Sequence, residues 1–184
     1  CPIKEKSTLY IIDNGEGMTE EVIDEHWMQI GTGNKEKDFI SEGKRTKTGA
    51  KGIGRFALDR LGYQTEMWTL SKTATKNQGS YWKMDWNQFD DSDKIISQIE
   101  ADIETIKLEL SEKIKSIIKG NIRLEKLVKN ISLKKGTILK ITNLKDSWDL
   151  DGINDVFKNL EALIPPKELK IPFDVYFQHF QQPK

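Results

Sequence analysis

Two glycine-rich runs carry the side chains of this chain that are best suited to chemistry. The first, residues 13–18 (Asp-Asn-Gly-Glu-Gly-Met), directly follows the apolar stretch 9–12. An acid at the end of a strand can accept hydrogen bonds from the edge of a flat ligand. The glycines beside it let the backbone approach that ligand closely. This run alone would also fit an ordinary turn.

The second run, residues 49–57 (Gly-Ala-Lys-Gly-Ile-Gly-Arg-Phe-Ala), is a glycine-rich loop that opens a predicted helix. Backbone N–H groups at a helix start favour an anion, most often a phosphate. Its spacing fits neither a Walker A loop nor a Rossmann fingerprint. An acid that accepts from an amine, combined with a phosphate loop, indicates a site for a purine nucleotide.

The order of the two runs resembles the glycine boxes of the GHKL ATPases, which include gyrase, heat-shock-ninety-type chaperones, sensor histidine kinases and MutL. A third stretch, residues 136–141 (Gly-Thr-Ile-Leu-Lys-Ile), is similar to the Gly-Thr strand of that family. The residues of the two glycine boxes are more similar to those of the chaperone-like and MutL-like branches than to those of the kinases. The resemblance implies binding of ATP or ADP with Mg²⁺. It assigns nucleotide binding to Asp13, Gly15, Gly17, Met18, Gly49, Lys51, Gly52, Ile53, Gly54, Arg55, Phe56 and Thr137.

The family also carries an Asn-bearing helix before the first box, where the Asn holds Mg²⁺ and a Glu usually activates water. Residues 1–12 contain no such helix, so we expect an N-terminally truncated domain in which this chain alone is inactive. Glu16 stands at a variable position of the box, and we reject it as the catalytic base. The catalytic residue is therefore unknown, and no metal ligand is assigned.

Three functions are compatible with these motifs. The resemblance favours an ATPase module whose lid, residues 31–53, closes on ATP and drives conformational change or dimerisation. The alternatives are a histidine-kinase-type domain that transfers the γ-phosphate to a partner, and a non-catalytic nucleotide sensor. Expected partners are ATP or ADP, together with a second copy or other domains of the parent protein.

Composition places limits on these readings. The 184 residues suit one domain, and the 29 basic and 29 acidic residues balance, so charge does not indicate nucleic acid. One cysteine excludes an intrachain disulfide framework and makes the cytoplasm the expected compartment. No apolar run is long enough to span a membrane.

The order of elements predicts an α+β fold, the two-layer Bergerat sandwich, with a mostly antiparallel sheet and helices on one face. Strands are predicted at 7–12 (buried), 63–71, 80–86, 137–142 and 173–177. Thr19 is positioned to cap a helix. Apolar residues from Ile99 to Ile117, spaced by three and four, predict one long helix within a helical insertion over 92–130.

Overall fold

The computed structural model describes residues 7–27, 57–75, 77–89, 100–162, 164 and 174–179. Within these ranges, five strands form one antiparallel sheet in the order β1-β5-β2-β3-β4. The strands are β1 (Thr8–Asp13), β2 (Gly62–Leu70), β3 (Gln78–Asp85), β4 (Asp102–Lys107) and β5 (Gly136–Leu144). The predicted α+β class and antiparallel sheet are confirmed.

The helices of the described ranges are short and lie between the strands. They are α1 (Glu20–Val22, continued by a π-helical turn over Ile23–Trp27), α2 (Ala57–Leu61), α3 (Leu110–Ile118), α4 (Ile122–Val128) and α5 (Leu150–Glu161). Thr19 caps α1, as predicted, because its hydroxyl accepts from the Val22 amide at 3.4 Å. The caps of α4 and α5 are Asn121 and Asp149.

One face of the sheet packs under the first glycine box and the helices beside it. Met67, Trp82 and Ile141 lie on this face and are almost fully buried. Ile23 from the π-helical turn and Leu58 from α2 close over them. Successive side chains of a strand point to opposite faces, so the apolar residues adjacent to these in each strand are buried on the other face of the sheet.

That second core lies on the opposite face, where α3 and α4 pack. Trp68 and Ile138 contribute from the sheet, and Leu110 and Ile114 contribute from α3. Helices therefore cover both faces, whereas the sequence predicted them on one face only. The amphipathic α3 needed an apolar surface, and the second face of β2 and β5 supplies it.

The long helix predicted from Ile99 to Ile117 is wrong in its first half. Asp102–Lys107 forms β4 and pairs with β3, so that Ile103 lies opposite Trp82 and Ile106 opposite Gly79. The spacing of three that suggested a helix places these two isoleucines on opposite faces of a strand. Pairing with the exposed edge of β3 prevails over the local pattern.

Two further predictions about strands are wrong, and the prediction of a lid is not tested. Strand β1 is an edge strand with mostly exposed side chains, not a buried one. Residues 174–179 form no regular strand, and Phe177 instead lies 5.9 Å from the Phe157 ring of α5. The lid over 31–53 and the start of the insertion lie outside the described residues.

None of the helices in the described ranges is long and apolar enough to cross a membrane.

Candidate functional site

The first glycine box and the Gly-Thr strand lie side by side. Asp13, the last residue of β1, pairs with Thr137 of β5. Gly136 has φ +137°, and a Cβ built there would lie 2.1 Å from the Asp13 carbonyl oxygen. Only glycine permits this close approach, so Gly136 is required for the backbone of Asp13 to lie where it does.

The Asp13 carboxyl is held in one orientation by backbone donors. The Gly15 amide donates to Asp13 Oδ1 at 2.7 Å, closing a tight turn. Desolvation by the surrounding protein atoms raises the pKa of Asp13 above its ordinary value, and hydrogen bonds from the Gly15 and Thr137 amides act in the opposite direction. Because the side chain still reaches solvent, it presents a fixed acceptor to an incoming ligand.

Gly17 presses the loop against the end of β2. It has φ +64°, and an added Cβ would lie 2.1 Å from the carbonyl oxygen of Leu70. The Lys72 amide donates to the Glu16 carbonyl oxygen at 2.8 Å and holds the same contact. The glycine at this position is thus a packing requirement as well as a conformational one.

The hydroxyl of Thr69 joins the two motifs. It accepts from the Met18 amide at 2.9 Å and lies 3.1 Å from Thr137 Oγ1 and 3.2 Å from the Gly136 carbonyl oxygen. Thr69 is fully buried. A hydroxyl has one hydrogen and two lone pairs. Thr69 can therefore accept from the Met18 amide and donate to the Gly136 carbonyl oxygen, while its second lone pair accepts from the Thr137 hydroxyl.

Sequence reasoning missed Thr69, because a threonine within a strand is ordinary β-sheet composition. The signal that could have found it is positional. Once β2 and β5 are aligned, Thr69 is the residue paired with Thr137. That alignment depends on strand pairing that the sequence does not show.

Glu16 points its carboxylate toward a cation. Glu16 Oε1 lies 3.7 Å from Lys72 Nζ, and both side chains are partly exposed. Our rejection of Glu16 as a catalytic base stays a prediction.

The second glycine box falls outside the described residues. Gly49, Lys51, Gly52, Ile53, Gly54, Arg55 and Phe56 therefore remain predictions. The chain re-enters the described structure at α2, whose Leu58 is buried in the core beside Met67. Within the described ranges, no group of three or more His, Cys, Asp or Glu side chains could hold a metal ion.

A cavity of about 200 Å³ opens beside the site. Its lining includes Met18, Thr19, Ser71, Ser80 and Thr105. Asp13 and Thr137 are not part of that lining, and the volume is smaller than a typical small-molecule pocket. The cavity therefore borders the glycine box without itself defining the site.

Comparison with known proteins agrees with this geometry. Residues 2–121 match the family described as histidine kinase-, DNA gyrase B- and HSP90-like ATPase. No curated protein shows detectable similarity to the chain. The match spans most of the chain and includes the first glycine box, α2 and strands β1 to β4. The chain belongs to the histidine kinase-, DNA gyrase B- and HSP90-like ATPase family.

Proposed function

We propose that this chain binds ATP with its adenine against the loop of residues 13–18. The observation that carries the proposal is the Thr69 hydroxyl, which links the Met18 amide to Thr137 and Gly136. This contact holds Asp13, at the end of β1, close to the two tightly packed glycines Gly17 and Gly136. A preorganised site of this kind spends little binding energy on ordering itself.

Recognition of adenine would rest on Asp13. Its carboxylate can accept a hydrogen bond from the exocyclic amine, directly or through a water molecule that Thr137 also contacts. Guanine presents a carbonyl oxygen at that edge, which would face an acceptor and leave both unpaired. Gly15 and Gly17 leave room for the ring, and Met18 is positioned to cover it.

The phosphates would lie on the second glycine box, where backbone N–H groups of residues 49–56 suit an anion. Lysines in the 31–53 lid could approach the γ-phosphate, and ATP binding would close that lid and drive conformational change or dimerisation. We assign the chain to the chaperone-like or MutL-like branch on the wording of its glycine boxes.

We propose that other parts of the parent assembly supply the Mg²⁺ ligand and the water-activating group. This chain alone would then bind nucleotide without efficient turnover. When bound, Mg²⁺ would supply charge neutralisation of the phosphates.

Isothermal titration calorimetry on the 184-residue chain tests the adenine assignment. ATP and ADP should bind more tightly than GTP, and Asp13→Ala should abolish detectable binding. Asp24→Ala removes an exposed carboxylate from the nearby π-helical turn and serves as the matched control, with unchanged affinity. Equal affinity for GTP and ATP would overturn the assignment.

The fate of the γ-phosphate separates hydrolysis from transfer. Incubating the parent protein with γ-labelled ATP should release free phosphate if it is an ATPase. Label retained on protein would instead support the histidine-kinase-type alternative. Binding with neither product would identify a nucleotide sensor.

A further inference from the structure

A groove lies on the second face of the sheet, opposite the face that packs under the first glycine box. Leu70 belongs to its lining, and the Leu70 backbone also abuts Gly17. It has a volume of about 610 Å³ and runs between the start of α3, the end of α4 and the residues that follow α4. Its apolar lining comes from Leu70, Leu110, Val128, Ile131 and Leu133. The size lies within the range of pockets that accept a ligand side chain or small molecule.

Lysines surround this apolar floor. Lys115, Lys129 and Lys134 line the groove and are exposed. Lys115 is paired with Glu112 at 2.6 Å. In the described part of the chain, no ion pair involves Lys129 or Lys134. Glu109 also lines the groove, so the uncompensated positive charge of the rim comes from Lys129 and Lys134.

The surrounding segment is basic although the chain is neutral. Residues 107–135 hold nine Lys or Arg and three Glu, whereas the whole chain has 29 of each sign. All three glutamates accept hydrogen bonds, and among the described residues Glu112 alone of them forms an ion pair. The Asn77 side chain donates to Glu109, Lys115 pairs with Glu112, and the Gly120 amide donates to Glu125 at 2.9 Å. The net potential of this face is thus positive.

We propose that this groove binds an acidic peptide segment of a partner protein, with an apolar side chain on the floor and carboxylates against Lys129 and Lys134. Charge complementarity selects the acidic flanks, and the floor of Val128, Ile131 and Leu133 selects an apolar anchor. A single-stranded nucleic acid fits less well, because no aromatic side chain among the described residues lines the groove to stack on a base.

None of the described residues proposed to bind the nucleotide lines the groove, so peptide binding and ATP binding can be tested separately. Fluorescence anisotropy of the 184-residue chain would use a labelled peptide of Glu and Asp with a central Leu-Leu pair. The double variant Lys129→Glu/Lys134→Glu should weaken peptide binding about tenfold or more. ATP affinity and melting temperature should remain those of the wild type.

Matched controls separate a specific groove from general charge attraction. Lys158→Glu makes the same type of charge change on α5, where Lys158 is exposed and pairs with Asp155 at 3.5 Å, and it should leave peptide affinity unchanged. A peptide with Ser-Ser in place of Leu-Leu should bind about tenfold more weakly, since it loses the apolar anchor.

Three results would overturn the proposal: no binding of the Leu-Leu peptide, equal binding of the Ser-Ser peptide, or tighter binding of a single-stranded oligonucleotide of equal charge. The last two would identify a general polyanion surface instead of a peptide groove. The proposal is supported if three results are found together. The double variant binds both peptides more weakly, Lys158→Glu binds them as the wild type does, and the wild type prefers the Leu-Leu peptide.

Discussion

The Met18 amide donates to the Thr69 hydroxyl at 2.9 Å, across a separation of 51 residues. This contact ties the loop after β1 to the buried centre of the sheet. The same hydroxyl reaches Thr137 and Gly136 of β5. One side chain on β2 therefore fixes the two elements that would hold the adenine of ATP.

Thr69→Val should weaken ATP binding without unfolding the domain. The isosteric change leaves the Met18 amide and Thr137 hydroxyl without their buried partner, which costs about 1–3 kcal/mol. Thr65→Val is the matched control, because Thr65 is on the same strand and face, is equally buried, and accepts from Trp86 Nε1 at 2.9 Å. Denaturant melts should show both variants destabilised, and calorimetry should show weakened ATP binding in Thr69→Val alone. Equal ATP affinity in the two variants would contradict the role of Thr69.

Gly17→Ala should disrupt the loop that carries Asp13 and Met18. The new Cβ would stand 2.1 Å from the Leu70 carbonyl oxygen, and the backbone would remain at positive φ. Gly120→Ala is a control with the same conformational problem but no crowding, since its φ is +87° and no atom of the described residues lies within 4 Å of the added Cβ. The control should lose about 1 kcal/mol from positive φ alone. Thermal melts should show a larger loss for Gly17→Ala, together with loss of ATP binding. Similar melts for the two variants would mean that the loop can move away from β2.

Strands β1, β2, β3 and β5 and the α1 cap could be predicted from sequence because each has a local signal. The association of the glycine box with the Gly-Thr strand was implied by the family resemblance. Thr19 precedes a helical start, and Gly136-Thr137 opens an apolar strand. The strand β4 could not be predicted, because Ile103 and Ile106 fit a helical stripe equally well. Only the open edge of β3 decides between them, and strand pairing between distant residues leaves no local mark.

In the candidate site too, some residues could be identified from sequence and others only from the strand register. Asp13, Gly15 and Gly17 stand out by residue type and spacing, so sequence alone nominates them. Thr69 has neither signal, and its role arises from the register that places it opposite Thr137. The cover of the second sheet face by α3 and α4 was also missed, since an amphipathic helix does not reveal which surface it packs on.

Asp13→Asn should separate stability from binding. Burial raises the pKa of Asp13 in the folded state. The folded chain therefore holds this proton more tightly than the unfolded chain does. Stability contributed by the neutral form is lost as pH rises from the ordinary value of 3.8 through the raised one. At pH 7 the uncharged amide should melt at or above the wild-type temperature, since it still accepts from Gly15.

The same Asp13→Asn variant should lose ATP binding, because an asparagine that turns its amide toward adenine no longer offers a charged acceptor. Carbon-detected NMR of the wild-type carboxyl should show a titration above 3.8. A marked fall in melting temperature at pH 7 would show that the carboxylate has a structural role that the amide cannot replace.

The Glu66 carboxylate should contribute stability that depends on pH. Burial by itself would raise the pKa of Glu66, but hydrogen bonds from Lys140 at 2.5 Å and Tyr81 at 3.0 Å outweigh it and hold the pKa below 4.5. A lowered folded pKa means that this stability is present above 4.5 and is lost as pH falls through the folded value. Wild type should therefore exceed Glu66→Gln in melting temperature at pH 7, and the gap should close at acid pH.

Tyr81 supplies a second readout of the Glu66 pair. Burial and the neighbouring Glu66 carboxylate raise the pKa of Tyr81 to about 12. Ultraviolet titration of Glu66→Gln should show one tyrosine ionising nearer its ordinary value of 10. An unchanged tyrosine titration would contradict the coupling between these side chains.

Glu16→Gln should leave ATP turnover by the parent assembly unchanged. Glu16 lies 3.7 Å from Lys72 Nζ, and its backbone carbonyl oxygen accepts from the Lys72 amide at 2.8 Å. The amide variant keeps the backbone contact and loses only a partly exposed ion pair, which contributes about 0–1 kcal/mol. A general base typically contributes about a hundred- to ten-thousand-fold to the rate, so its removal could not be overlooked in a phosphate-release assay. Turnover by the 184-residue chain alone that is abolished by Glu16→Gln would show that Glu16 is the base after all.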